Sequence, residues 1–362
     1  MTTKQIVKEV PKVLLHDHLD GGLRTETVIE LADRIGYKKL PTKNPEELSD
    51  WFFRGANKGN LVEFLQGFEH TCAVMQTKAS LERIAYEMME DMHTDGVVYI
   101  ETRFAPVLHL DNGLYYDDVI TAVLSGLEKG KREFGVGYGL ILCAMRNMTN
   151  SLEIAELAVN YRDKGVVGID LAGEEGGYPP KNHLDAFQVI MRENFNITIH
   201  AGEAFGKESI WQAIQLCGAH RIGHATRLRE DIVFDASGNI VQLGDLAQYI
   251  LDKRIPLEIC LMSNVHTGAV TKLENHPFKK LFDSKFRVFL NTDDRLMSNI
   301  TLTDEYITAT EIFGISLEDI EKLNINAMKS AFISHNEKLD YIYKVIKPGY
   351  QEMKNKLLSL KA

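Results

Sequence analysis

Val13-Leu14-Leu15-His16-Asp17-His18 is the stretch whose reading decides the fold. Three apolar residues run directly into a polar triplet. Alternate residues of a β-strand point the same way, so His16 and His18 share a face while Asp17 points elsewhere. An apolar run of this kind suits a parallel strand buried on both faces. In an α/β barrel, polar side chains at the C-terminal end of such a strand mark the active-site face.

The same construction recurs along the chain. Short apolar runs at 97–102, 139–144, 166–171, 197–199, 222–223, 257–260 and 288–290 join 13–15 to give eight candidate strands. Between them lie amphipathic patterns, clearest at 118–134, 152–161 and 246–251. Strand and helix alternating over the whole length predict an α/β fold, a single (β/α)8 TIM barrel spanning residues 1–362 as one domain. Two regions depart from the repeat. Residues 25–80 are too long for one helix and read as extra helices inserted after the first strand. Asp235-Ala236-Ser237-Gly238-Asn239, between two short apolar runs, reads as a surface hairpin. Residues 317–360 form a helical C-terminal tail, with a break expected at Pro348-Gly349.

Composition supports a large core: of 362 residues, 44% are hydrophobic and 25% charged. The net charge of -10 disfavours nucleic acid and anionic membrane as partners. Cys72, Cys143, Cys217 and Cys260 are widely spaced without a C-x-x-C pair, as expected of reduced thiols in a cytoplasmic protein. The N-terminus has no apolar signal-peptide core, and no apolar run approaches the roughly 20 residues of a membrane span. Nothing points to an obligate protein partner.

Each polar cluster follows a candidate strand. His16 and His18 follow the first, Gly173-Glu174-Glu175 the fourth and His200-Ala201-Gly202-Glu203 the fifth. Gly223-His224 ends the sixth, and Asp293-Asp294 follows the last. Taken singly, an H-x-H pair is more often structural than ligating, an Asp-Asp is usually a turn or helix cap, and His224 a satisfied buried histidine. Jointly, several polar clusters at one end of a barrel are costly to desolvate without a shared purpose. Three neutral histidines and an aspartate make a plausible zinc set with room for water. Zinc lowers the pKa of that water to about 7, and a nearby histidine can orient the nucleophile or take its proton. Glu203, three residues beyond His200, can donate a proton to a ring nitrogen if burial keeps it protonated. Two-metal barrels commonly bridge their ions with a modified Lys at the end of the fourth strand. Asp170-Leu171-Ala172-Gly173 has none, so one metal per chain is expected. His70, His93, His109, His183, His220, His266, His276 and His335 are left as non-ligands.

These motifs resemble the adenosine deaminase family. The signatures are His16-Asp17-His18-Leu19-Asp20-Gly21, Asp170-Leu171-Ala172-Gly173-Glu174, His200-Ala201-Gly202-Glu203, Arg221-Ile222-Gly223-His224 and Asn291-Thr292-Asp293-Asp294. Five in order across nearly the whole chain are highly specific. The resemblance implies zinc ligands at His16, His18, His200 and Asp293. It implies Glu203 as the acid that protonates purine N1, and His224 as the residue that positions and deprotonates the water. It also implies Asp294 at N7 and the Gly173 backbone at N3. The implied reaction is hydrolytic deamination of adenosine or 2'-deoxyadenosine, small-molecule purine nucleosides, to the inosine product and ammonia.

Asp20 matches the carboxylate that accepts the ribose 5'-hydroxyl in adenosine-acting relatives; its plainer reading is an Asx turn before Gly21-Gly22. Leu61, Phe64, Leu65 and Phe68 match an apolar gate over the nucleoside, although core packing explains the stripe equally well. Three departures stand out: Asp17 replaces the usual apolar residue between the histidines, Leu261 replaces a Pro, and Arg295 follows Asp294 where Pro is common. Arg295 could pair with Asp294 or another acid, which bears on base selectivity. The alternatives are deamination of adenine or aminofutalosine, hydrolysis of a lactone or cyclic amide, and an inactive nucleoside-binding relative.

Overall fold

Lys12–His18 forms β1, followed by β2 (Val97–Phe104), β3 (Gly137–Met145), β4 (Val166–Ala172), β5 (Thr198–Ala201) and β6 (Arg221–His224) in a computed structural model that describes residues 3–236 and 238–360. After a hairpin of β7 (Ile232–Phe234) and β8 (Ile240–Leu243) come β9 (Leu257–Ile259) and β10 (Val288–Leu290). One run of parallel strands has the order β1-β2-β3-β4, the other β10-β9-β6-β5. Parallel bridges Asp17↔Asp293 and Ile169↔Ile197 join the two runs, closing the expected barrel of eight strands. Helices such as Tyr116–Phe134, Ser151–Asn160 and Asp245–Lys253 cover the outside. The strands are buried on both faces, so their apolar runs are continuous rather than alternating.

The closing seam matters for the site. His18 N–H donates to Asp293 O (2.8 Å) and Asp293 N–H donates to His16 O (3.0 Å), so backbone ladder bonds set three of the predicted ligands side by side. Asp293 takes φ 61 and His224 φ 66. Such left-handed backbone costs a non-glycine residue about 1 kcal/mol and is held only where the surroundings over-determine it.

The insertion after β1 comprises helices Thr25–Ile35, Pro45–Ala56, Leu61–Phe64, Phe68–Val74 and Lys78–Thr94. Local caps start them: Asn44 accepts from Glu47 N–H, Asn60 from Val62 and Glu63 N–H, and Thr77 and Ser80 form a capping box. The gate stripe is therefore not one helix. Its residues fall on two short helices joined by a 3-10 turn at Leu65–Gly67. The hairpin lies where expected, with β7 and β8 antiparallel; Ser237 at its tip lies outside the described residues.

The tail differs from expectation at one point. Helix His335–Asp340 passes through a π-helical turn, Tyr341–Ile346, into Lys347–Ser359 without a break. Pro348 sits in the first turn of the last helix, where the preceding change of hydrogen-bond register absorbs its missing N–H.

Candidate metal and catalytic site

At the C-terminal mouth of the barrel, β1 supplies His16 and His18, β5 His200, β6 His224, and the residues after β10 Asp293 and Asp294. His16 Nε2 lies 2.9 Å from Asp293 Oδ1, and His18 Nε2 lies 3.4 Å from the same oxygen. His18 Nε2 and His200 Nε2 are 3.2 Å apart. His16, His200, His224 and Asp293 each bring a donor atom within 4.8 Å of all the others; the predicted ligand His18 is not in that group, and His224, expected beside the metal rather than on it, is. Gly223 permits this crowding: a Cβ there would lie 3.1 Å from the His16 ring.

The other ring nitrogens decide what faces the centre. His16 Nδ1 meets Glu258 Oε2 at 2.7 Å and His200 Nδ1 meets Asp170 Oδ2 at 3.0 Å. Each histidine donates outward to a carboxylate and so turns a lone pair inward, the arrangement that orients metal-bound imidazole. His16 Nε2 is buried without a hydrogen-bond partner. Lone pairs from His16 and His200 converging on an ionised carboxylate repel one another unless a cation stands among them. The donor set therefore fits a divalent metal, and borderline nitrogen ligands with one carboxylate suit zinc.

His224 is different, and a relay of bonds shows why. Phe278 N–H donates to His276 Nδ1 (3.0 Å), so His276 carries its hydrogen on Nε2 and donates to Asn264 Oδ1 (3.1 Å). That fixes the amide, whose Nδ2 donates to His224 Nδ1 at 2.9 Å. His224 is left with Nε2–H aimed at the centre. Burial holds His276 down to about 3 and His224 well below its ordinary value, so both rings are neutral. A protonated Nε2 offers no lone pair to a metal but can donate a hydrogen bond, which separates His224 from the ligand set.

The carboxyl groups divide by environment. Asp293 lies well below the usual range: burial opposes this, but His16, His224 and His18 overcome it. Burial, with nearby Asp293, pushes Glu203 up to about 8. Thr267 Oγ1 donates to Glu203 Oε1 (2.9 Å), leaving Oε2 as the protonated oxygen, 3.5 Å from His224 Nε2. Asp294 is raised well above its ordinary value by burial and by Asp293, Asp20, Asp17 and Glu203 around it. Its Oδ1 has no partner, and Gly21 makes room for it, since a Cβ there would lie 1.7 Å away. Two protonated acids thus sit beside one ionised one.

A cavity of about 290 Å³ opens over this centre. Glu203, Asp294, Gly173 and Asp20 line it, together with the apolar Leu61, Phe64, Leu65 and Phe68. Every predicted site residue except His16 lines this space; His16 lies beneath, wholly buried. At the Asp20 end, His109 and Cys72 come within 4.8 Å of the carboxylate.

Several residues escape a reading of the sequence. Glu258 and Asp170 orient His16 and His200; a charge inside Leu257-Glu258-Ile259 is the available signal, since a buried strand carries none without a partner. Asn264 and His276 set the His224 tautomer. Glu175 accepts from the N–H groups of Gly202 (2.7 Å), Glu203 (3.0 Å), Ala204 (2.7 Å) and Phe205 (2.9 Å), pinning the loop that carries Glu203. Arg295 Nε pairs with Asp17 Oδ2 at 2.9 Å and Nη1 with Asp91 at 3.3 Å.

A parallel (β/α)8 barrel with histidines and an aspartate converging at its C-terminal mouth is the architecture of a metal-dependent hydrolase. The adenosine deaminase family model matches residues 11–348, and the chain belongs to that family, which is metal-dependent. It is 50% identical over 355 residues to an adenosine deaminase of Mycobacterium ulcerans, covering 97% of this chain and 98% of that one. Among solved structures it resembles an adenine deaminase from Arthrobacter aurescens, with a TM-score of 0.83 and 26% identity over 93% of this chain and 98% of that one. An amidohydrolase from Burkhoderia ambifaria with bound Zn shares the fold at a TM-score of 0.83, 21% identical over 99% of this chain and 96% of that one. No helix among the described residues is long and apolar enough to cross a membrane.

Proposed function

We propose that the chain deaminates adenosine and 2'-deoxyadenosine to inosine and 2'-deoxyinosine plus ammonia, as one domain holding one zinc ion through His16, His18, His200 and Asp293. The observation that carries the reading is geometric: Glu203 and Asp294, two buried carboxyls that burial and neighbouring carboxylates hold above their ordinary range, line one cavity with His18, His200, His224 and Asp293. A purine ring presents N1 and N7 as acceptors, and an acid that keeps its proton is the donor such an edge requires. Four unpaired cysteines, three of them buried, suit the reducing cytoplasm, where we place the enzyme.

The bound cation supplies the charge that acidifies water and makes it nucleophilic at neutral pH. The chain's own residues do the rest. Glu203 Oε2 gives its proton to N1, which draws electrons from C6 and opens it to attack. His224 Nε2–H donates to the incoming water oxygen and orients it; in this tautomer the ring does not act as the resting base. Asp294 holds N7, and the positive-φ Gly173 lets its backbone approach the ring edge. The two protons of water are redistributed: one makes good what Glu203 gave to N1, the other leaves with the amine as ammonia. Phe64 and its neighbours keep bulk water from this exchange. Asp20 receives the 5'-hydroxyl, which favours a free nucleoside over a phosphorylated one.

The test is ammonia release from adenosine, 2'-deoxyadenosine, adenine, aminofutalosine and AMP, with metal content measured before and after chelation. Nucleosides turning over at least about 100-fold better than adenine and AMP, with activity following zinc, would support the reading. Adenine or aminofutalosine as the preferred substrate would overturn the Asp20 assignment.

A further inference from the structure

The face of the barrel opposite the proposed active site holds a second concavity, of about 690 Å³. Its walls come from the segments that lead into β5, β6, β9 and β10 and from the turn after helix Leu317–Ser330. Besides Arg221, which is paired with Glu101 and Glu258, five cationic side chains line it, Lys253, Arg254, Arg287, Lys329 and Lys338, and no carboxylate does. Among the described residues none of the five is in an ion pair, although the chain carries a net charge of -10. Most have only weak or backbone contacts: Lys338 Nζ reaches Lys329 O at 3.4 Å, and Arg254 donates to Lys285 O.

The floor is Arg221, 1% exposed. Its Nε and Nη1 are used, on Glu258 (2.6 Å) and Glu101 (2.6 Å), and its plane stacks on Phe332 at 3.6 Å. Its Nη2 has no hydrogen-bond partner, and neither has Arg287 Nε, both buried atoms. A buried guanidinium N–H without an acceptor is costly to desolvate, so these donors add to the uncompensated positive charge of the pocket wall. Burial and Arg254 lower the pKa of Arg287, and burial with Arg221 and Arg287 lowers that of Lys338, even though Glu101 opposes the shift at Lys338. Glu101 and Glu258 are spent on Arg221 behind the floor, and among the described residues the other five cations have no ion-pair partner of their own.

We propose that this pocket is a binding site for a small molecule bearing one or two phosphoryl groups, held by Arg287, Arg254 and Lys338, with the buried Arg221 behind them. Planar guanidinium forks match phosphoryl oxygens, and a cavity of this size suits a sugar phosphate or nucleotide rather than a lone ion. The site stands apart from the deamination reading: none of its residues lines the cavity over the histidines.

The probes are inorganic phosphate and uridine diphosphate, which lacks a 6-amino group, titrated calorimetrically into the metal-loaded protein at constant ionic strength. One equivalent of uridine diphosphate binds, inorganic phosphate competes with it, and saturating inosine does not displace it. Arg287→Gln with Lys338→Gln weakens binding at least about tenfold while deamination stays within about twofold. Should that pair fail to fold, Lys253→Gln with Lys329→Gln, both nearer the rim, is expected to weaken binding about threefold. Absence of binding at about 10 mM, displacement by inosine, or unchanged affinity in a folded variant would overturn the proposal.

Discussion

Changing Asn264 to Asp tests whether the tautomer of His224 matters to turnover. Asn264 Nδ2 donates to His224 Nδ1 at 2.9 Å and Oδ1 receives from His276 Nε2 at 3.1 Å. A carboxylate of the same shape still accepts from His276 but has no hydrogen to give His224. It instead accepts from Nδ1, drawing the ring hydrogen there and turning a bare Nε2 toward the centre. A hydrogen bond to a charged acceptor is worth about 1.5–3 kcal/mol, and each 1.4 kcal/mol is a factor of ten. Turnover should therefore fall roughly 10- to 100-fold, with KM within about threefold, because substrate contacts are untouched. Asn264→Leu, which frees the ring without imposing the wrong tautomer, should lose about tenfold at most. Steady-state deamination at pH 8, zinc content by emission spectroscopy, and long-range nitrogen–proton correlation of the His224 ring give the three readouts. An Asn264→Asp variant that keeps at least half the wild-type kcat, or one whose loss merely tracks loss of zinc, would refute the relay.

Glu203→Gln keeps the shape of the side chain but not its proton; zinc content should hold while kcat drops at least about 100-fold, seen in single-turnover assays. Arg295→Leu strands Asp17 as a buried charge and should cost about 3–5 kcal/mol in urea unfolding, with more than half recovered by adding Asp17→Val. Lys12, whose Nζ donates to Val7 O, Lys8 O and Val10 O, is brought down to about 8 by burial. Between pH 8 and 10.5 the unfolded chain then holds the extra proton, so wild type gains stability with rising pH relative to Lys12→Met, by up to about 3 kcal/mol, measurable as the difference between two urea-unfolding pH series. Phe64→Ala opens the lid and should raise KM and lower kcat several-fold; unchanged constants would leave Phe64 as core packing only.

The barrel is legible because its strands are buried on both faces and announce themselves as apolar runs; all eight lie where those runs lie. The histidines of the site are legible because they interrupt such runs at one end. Strand ends are less so: β1 runs on through His18, since ladder bonds with Asp293 extend pairing beyond the apolar residues. Glu258, Asp170, Asn264 and His276 act through partners distant in sequence or through hydrogen-bond direction, and neither leaves a periodic trace. His276 shows the limit plainly. Both its ring nitrogens are taken, one by Asn264 Oδ1 and one by a backbone N–H two residues on, and that second bond sets its role. The gate stripe has helical spacing, but three short turns, not one helix, deliver its side chains to the cavity.

The three departures from the family pattern become intelligible together. Asp17, in place of an apolar residue, points away from its flanking histidines, takes the hydroxyl of Thr292 at 2.6 Å and pairs with Arg295. Arg295, in place of a proline, thus answers Asp17, and neither would be tolerable alone in a wholly buried setting. Leu261 brings an N–H that proline lacks and spends it on Glu305 Oε2 at 3.1 Å. The pairing also settles what Arg295 does to its chain neighbour. Had the guanidinium turned to Asp294, it would have ionised that carboxyl and made it an acceptor, facing a purine nitrogen with like polarity. Committed to Asp17 and Asp91, it leaves Asp294 among carboxylates only, and there the proton stays. With Asp294 in its proposed role at N7, base selectivity follows where Arg295 points: the Asp17→Val, Arg295→Leu double variant should retain adenosine turnover, whereas Asp17→Val alone, which frees the guanidinium to swing toward Asp294, should not.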